Sequence, residues 1–417
     1  MFERPNIRQP ELPGLEAAEQ DITFFESLPY SDFKRWVPED SIYEKAQNKI
    51  SALFRLNDIK CLSLLSYVGP RPRDMYFTEF THSRLDHSLT VALITEEILR
   101  QNGFSQDQIN RGIVASLLHD IATPAYGDAT KQVDIKNLHE EDHWWNVLDN
   151  NAKNFIKQFG TKEEIHEIIK NRGILGKVLD ISDRITYTMK DMSAVQIAPV
   201  PDDPYLADLN KIIVNNRKIG NIYKDVGIDQ KKKEVFFNDS NNLNVFLTLR
   251  AHLHQNLYLY PTNQARDLFV AKAIEKIYSN DGSAILFPDK LREMTDNGLM
   301  KVLASYYGEN IFTMYPQLVN WYPEFEKFDS IDKARMKKNE LKQKKNIAVI
   351  GIRECKGFDP GTDYKVTNGY NYIKYKNYDP SKANKIEEIA KSTKGIFLYW
   401  TDISENYPIN RLFRRVL

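Results

Sequence analysis

A mainly α-helical fold with a small C-terminal α+β appendage is what this 417-residue sequence predicts. Apolar residues recur at helical spacing from about residue 40 to 325, and the texture turns to short strand-like words after residue 330. Composition completes the picture: 42% hydrophobic and 27% charged residues, with 5 Trp, 22 Tyr and 21 Phe, exclude a disordered chain. The 57 basic and 57 acidic side chains cancel, which argues against duplex-DNA binding through overall charge, so any polyanion site must be local.

Residues 1–40 read as a lead-in, Pro- and Glu-bearing and without periodicity in their first half. A helix is expected over Ser83–Arg100, because His87, Val91, Ile94 and Ile98 recur at i, i+4, i+7 and i+11 and Gly103 follows as a stop. A second is expected over Asp107–Asp120, carrying Ile109, Ile113, Val114, Leu117 and Leu118. These belong to a helical domain over 41–332. The run KARMKKNELKQKK (333–345) holds seven basic residues against one Glu, and its place between two textures suits a solvated helix or linker better than a nucleic-acid site. The strand-like NIAVIGI (346–352), YNYIKYK (370–376), a helical KANKIEEIAKS and IFLYW (396–400) make the α+β unit of 333–417.

Cys61 and Cys355 stand far apart with no CxxC spacing, so a disulfide scaffold or zinc ribbon is not expected and a reducing compartment is. The first residues show no signal-peptide pattern, and no stretch approaches 18 consecutive apolar residues. The chain therefore reads as soluble and cytoplasmic, with no membrane partner.

Three words combine histidine or acidic residues with helical context: THSRLDHSL (81–89), SLLHDIATPAYGD (116–128) and DISDRITY (180–187). A lone histidine on an apolar stripe is usually a core residue, but the His119–Asp120 pair follows the apolar run IVASLL. An isolated buried carboxylate is too costly to leave ionised, so Asp120 must be paired or metal-bound. His87, His119, Asp120 and Asp183 form a mixed N/O set suited to a divalent metal, Mn²⁺, Mg²⁺ or Fe²⁺ first, with Zn²⁺ or Ni²⁺ as alternatives. Four protein ligands leave positions open for water and a substrate oxygen, the mark of a catalytic rather than a structural site. Downstream, Asp183, Tyr187 and Asp191 at i, i+4 and i+8, with Arg184 beside them, line roughly 11 Å of one helix face, along which a nucleotide can lie.

The spacing H…HD…D resembles the HD-domain metal-dependent phosphohydrolases, with an HD-domain helical core as the implied fold. The words RLNDIKCLSLL (55–65), THSRLDHSLTVA, HDIATPAYGD, LHEEDHWWNVL (138–148), DISDRITYTMKDM (180–192), RAHLHQNLYLYP (250–261) and MTDNGLMKVL (294–303) narrow it. In that order they resemble the deoxyguanosine-triphosphate triphosphohydrolase branch over roughly 45–310. The resemblance implies that Arg84, Arg184 and Arg250 contact substrate phosphates, and guanidinium geometry suits that task. It further implies that Tyr187 lies at the sugar, Asp191 accepts from a 3′-hydroxyl, Tyr258 packs on the base with His254 nearby, and the His139–Glu140 pair assists proton transfer. Glu140 or Glu141 is expected to orient the His139 imidazole, with His143 as a competitor. Two departures stand out. Thr123 and Asp128 occupy places where close members carry histidines, and Cys61 replaces a glutamine that contacts the sugar in some members. Asp128 is expected either to have taken over proton transfer or to be a turn residue after Gly127.

The leading expectation is a metal-dependent dNTP triphosphohydrolase that releases deoxynucleoside and triphosphate, the metal activating the attacking water. The family resemblance suggests a homo-oligomer. Rivals are another HD phosphohydrolase acting on a monophosphate, cyclic nucleotide or alarmone, and a nucleotide sensor without turnover.

Overall fold

The computed structural model describes residues 40–61, 82–197, 222–280, 288–307, 323–367, 369, 371–403 and 416–417. Nearly all of the lead-in, the end of the RLNDIKCLSLL word and Tyr370 lie outside them.

The chain is mainly helical, as its periodicity predicts. Helix α1 (Ile42–Lys49) starts at Ser41, whose side chain accepts from the Glu44 N–H, and buries Tyr43 and Ala46. Helix α2 (Arg84–Gln101) is capped by Ser83, and its expected stripe of His87, Val91, Ile94 and Ile98 is buried. Leu85, Leu89, Ala92, Thr95 and Leu99 are buried as well, so α2 is covered on nearly every side and lies at the centre of the body. Helix α3 (Gln106–Leu118) opens with a capping box between Ser105 and Gln108. It stops two residues short of the expected Asp120, which leaves His119 and Asp120 in the turn beyond its end. Gly112 lets α3 approach α2: a Cβ there would fall 2.6 Å from Leu99 Cδ1.

The short α4 (Gly127–Lys131) and α5 (Glu140–His143) follow, then α6 (Lys162–Ile169) and the long α7 (Gly173–Ile197), which packs along α2. Helix α8 (Ser240–Leu253) runs into a π-helical turn, His254–Tyr258. Such turns place side chains off the regular helical register and recur at functional sites. Helices α9 (Pro261–Asn280) and α10 (Asp296–Tyr307) complete the helical body.

Strands form two sheets. Strands β1 (Val226–Asp229) and β2 (Glu234–Phe237) pair antiparallel, and β3 (Glu324–Phe328) belongs to the second sheet. The basic run forms α11 (Ile331–Lys342), a helix exposed along most of its length but anchored by buried Ala334 and Leu341. It packs against β4 (Ile347–Cys355). Next, β5 (Lys365–Thr367) joins β2 in parallel, with Phe236 opposite Lys365, and β6 (Tyr372–Lys374) closes the sheet order β1-β2-β5-β6. Helix α12 (Pro380–Ser392) leads to β7 (Gly395–Asp402), the centre of the antiparallel order β3-β7-β4.

The change of texture near 333 is one of composition, and packing runs across it. Val366, Tyr375, Ala383 and Ile386 lie in the same apolar core as Leu85, Leu89 and Phe246. A second core joins Ala125, Tyr126 and Ile274 to Ile350, Phe397 and Tyr399.

Candidate metal centre and cavity

Helix α2 presents His87, the turn after α3 presents His119 and Asp120, and α7 presents Asp183. His87 Nε2 lies 2.9 Å from Asp183 Oδ1 and 3.8 Å from Asp120 Oδ2. His119 Nε2 lies 3.6 Å from Asp120 Oδ2 and 3.8 Å from Asp183 Oδ1. The four predicted ligands thus converge, all buried but for a partly open Asp183.

Their chemistry fits a cation. His119 Nδ1 lies 2.7 Å from the Ser116 carbonyl, which can only accept, so Nδ1 carries the proton and the Nε2 lone pair faces the carboxylates. That Nε2 is buried without a hydrogen-bond partner. Burial would raise the Asp120 pKa, but Arg84, 2.7 Å away, followed by His119 and His87, holds it well below the usual carboxylate range. Asp183 is lowered against its own burial by the hydrogen bond from His87. Burial lowers and Asp120 and Asp183 raise the His119 pKa, with a net upward shift. Two ionised carboxylates, Asp120 buried and Asp183 half-buried, beside two imidazoles form a donor set that suits a divalent cation.

This set forms one wall of a cavity of about 600 Å³, within the range of small-ligand sites. Arg84, Asp128, Lys131, His139 and Glu140 line it, as do Tyr187, Asp191, His254 and Tyr258, with Asp267, Arg353 and Gly357 from later in the chain. Asp191 is 3% exposed, and burial pushes its carboxyl up to about 7. The Tyr258 hydroxyl donates to it, and the Tyr258 ring meets Tyr187 edge to face at 6.0 Å. Tyr258 therefore serves the cavity wall rather than only the core.

Several expected site residues lie away from the cavity or take other partners. Arg184 and Arg250 do not line the cavity. Arg184 bonds Asp180 at 3.0 Å and Asp359 at 2.7 Å, while Arg250 donates to the Tyr187 hydroxyl and to the Asp359 carbonyl. His254 stacks on Phe358 at 4.4 Å, so the segment after β4 engages both arginines and this histidine at once. Burial first, then Arg250, lowers the His254 pKa well below its ordinary value, keeping that ring neutral. Glu140 does not orient His139: it bonds Lys131 at 2.6 Å, and Glu141 bonds Lys170 at 3.2 Å. The nearest carboxylate to His139 Nδ1 among the ion pairs is that of Asp142, at 3.9 Å. His143 is half-buried, with a ring nitrogen 3.4 Å from the Lys136 carbonyl, and is absent from the lining. Asp128 reaches the cavity, but Lys131, 2.9 Å away, holds its carboxyl down to about 2.

Two cavity cations escaped the sequence reading. Lys131 lies one turn beyond Asp128, and that i,i+3 acidic–basic pair was a local signal. Burial lowers its pKa, but Asp128 and Glu140 more than offset this and keep it charged. Arg353, on β4, lies 4.0 Å from Asp267 on α9, and nothing near it in sequence marks it.

Residues 84–187, which hold all four metal-directed side chains, match the HD domain family. No curated protein sequence matches the chain. Among solved structures, a hypothetical protein from Aquifex aeolicus is similar at 17% identity and a TM-score of 0.58, over 90% of this chain and 94% of that one. A phosphohydrolase from Bacteroides thetaiotaomicron VPI-5482 is similar at 15% identity and a TM-score of 0.60, over 87% of this chain and 96% of that one. The unmatched part of this chain is shorter than 333–417, so some of that segment belongs to the shared fold. The fold is therefore mainly helical around an HD-domain helical core, with strands that the C-terminal segment shares.

Proposed function

We propose that this protein is a metal-dependent phosphohydrolase that cleaves a deoxynucleoside triphosphate to deoxynucleoside and triphosphate. The observation that carries the reading is the convergence of His87, His119, Asp120 and Asp183 on a cavity that also holds Arg84, Lys131 and Arg353. A divalent cation held by those four residues would polarise a phosphoryl oxygen and lower the pKa of the attacking water.

The remaining chemistry belongs to the chain. Arg84 and Lys131 bind phosphate oxygens and offset charge that develops on them. His139, which lines the cavity, gives a proton to the leaving 5′-oxygen. Asp191 accepts from the 3′-hydroxyl, Tyr187 crowds the 2′ position, and Tyr258 covers the base. A 2′-hydroxyl would meet Tyr187 or leave a polar group unpaired, so deoxynucleotides are preferred.

Purified protein incubated with each dNTP and NTP and with Mn²⁺, Mg²⁺ or Fe²⁺, products resolved by chromatography, tests this reading. Tripolyphosphate from dNTPs is expected, and Asp183→Ala should lose bound metal and turnover together. Orthophosphate or pyrophosphate as the product would redirect the reading to another HD phosphohydrolase, and binding without product to a sensor.

A further inference from the structure

Next to the metal set lies a second group of ligand-type side chains that the proposed reaction does not need as a group. The Cys61 thiol, a ring nitrogen of His82 and a ring nitrogen of His87 lie within 4.8 Å of one another. Backbone pairing holds the first two in place: the Cys61 N–H donates to the His82 carbonyl at 3.1 Å, and Lys60 forms an antiparallel bridge with Ser83. The Arg84 N–H then donates to the Ile59 carbonyl at 2.8 Å, tying this pair to the start of α2.

Two further observations point to a ligand. His87 is 2% exposed, and its Nδ1 has no hydrogen-bond partner while Nε2 faces Asp183. Asp191 Oδ1, 3.7 Å from His82 Nδ1, is likewise buried without a hydrogen bond. A thiol, two imidazoles and an adjacent carboxylate form a softer donor set than the N/O set across His87, and one that suits Zn²⁺ or Co²⁺ over Mg²⁺. The nearest guanidinium, Arg84, is paired with Asp120.

We propose that Cys61, His82 and His87 form a second cation position for a thiophilic divalent ion, sharing His87 with the first set. Binding breaks the Cys61 S–H bond, forms a sulfur–metal bond and releases the proton to solvent; with the first position filled through His87 Nε2, coordination through Nδ1 releases the Nδ1 proton to solvent as well. Because His87 belongs to both positions and Asp191, beside His82, lines the cavity, an ion here changes the shape and charge of the nucleotide cavity.

The test uses the full-length chain, stripped of metal by chelation and titrated with Co²⁺ alone under reducing conditions. Thiolate-to-Co²⁺ charge transfer in the near-ultraviolet absorption spectrum is expected to reach its plateau within two equivalents, since the first set also takes Co²⁺. It should persist in Asp183→Asn, where the first set is damaged, and in Cys355→Ser, which removes the other thiol. Cys61→Ser should abolish it with an unchanged circular dichroism spectrum, and His82→Gln should weaken it if Cys61→Ser folds poorly. No band at saturating Co²⁺ in the wild type, or a band that survives Cys61→Ser, overturns the proposal. Nucleotide hydrolysis is not read in this titration, so the two readings fail separately.

Discussion

Asp191 and Asp128 share one cavity, yet their surroundings drive their carboxyls apart, to about 7 and about 2. Burial dominates at Asp191 and the Lys131 ammonium at Asp128, and such separation commonly assigns different roles to neighbouring acids. The folded-state pKa of Asp191 lies above its ordinary 3.8. Its contribution to stability is therefore fully present below that ordinary value and is lost as pH rises through about 7. Asp191→Asn should accordingly gain stability relative to wild type, by at most on the order of 4 kcal/mol, between about pH 4 and about pH 8. Urea unfolding at both ends of that range measures it, and a constant difference would remove the buried-acid reading. A carboxylate as acidic as Asp128 is a weak general base, so Asp128→Asn should lower kcat less than about tenfold, while His139→Ala should cost roughly 10²–10⁴. Steady-state rates at unchanged metal content decide between them, and the reverse order would return proton transfer to Asp128.

Among the secondary-structure elements, the site depends on a carboxylate that never touches the cavity. Asp296, at the start of α10, accepts from the Lys60 N–H at 2.9 Å through one oxygen and from the Tyr126 N–H at 2.8 Å through the other. It thereby joins the strand-like segment before Cys61 to the ATPAYGD loop, where Tyr126 and Gly127 both adopt positive φ, 57° and 46°. That loop aims Asp128 and Lys131 at the cavity, and a tyrosine in the left-handed region must be held there by its surroundings. Asp296→Ala would strand two amides and should cost about 2–4 kcal/mol. Chemical denaturation reads this loss, and an unchanged midpoint would show that those amides find other acceptors.

For the whole molecule, the division at 333 bears on how the chain unfolds. Strand β5 pairs with β2, Tyr375 donates to Asn244 on α8 at 2.6 Å, and Asp359 ties down Arg184 and Arg250. Removing 333–417 would expose the apolar partners of Val366, Tyr375 and Ile386, so a chain truncated before Lys333 should be insoluble or lose its sharp thermal transition. A soluble truncation that unfolds cooperatively near the wild-type temperature would count against this. No helix among the described residues is long and apolar enough to cross a membrane.

The metal set was legible because its logic is local. Histidine at the head of an apolar stripe, an HD pair at the end of an apolar run and an acid on the next long helix mark three elements that bury one face each. Burying those faces together brings His87, His119, Asp120 and Asp183 into contact. Side-chain type and helical period, both properties of short segments, were by themselves enough to determine the mainly helical fold and the residues that could hold a cation. The partner of each arginine was settled only by the tertiary structure. Arg84, Arg184 and Arg250 are alike as residues, yet one meets a carboxylate of the metal set and two meet Asp359. Arg353 reaches the cavity from β4, more than two hundred residues beyond His119. A long charged side chain takes the nearest complementary group in space, and where that group lies depends on strand pairing and core packing that span the whole chain.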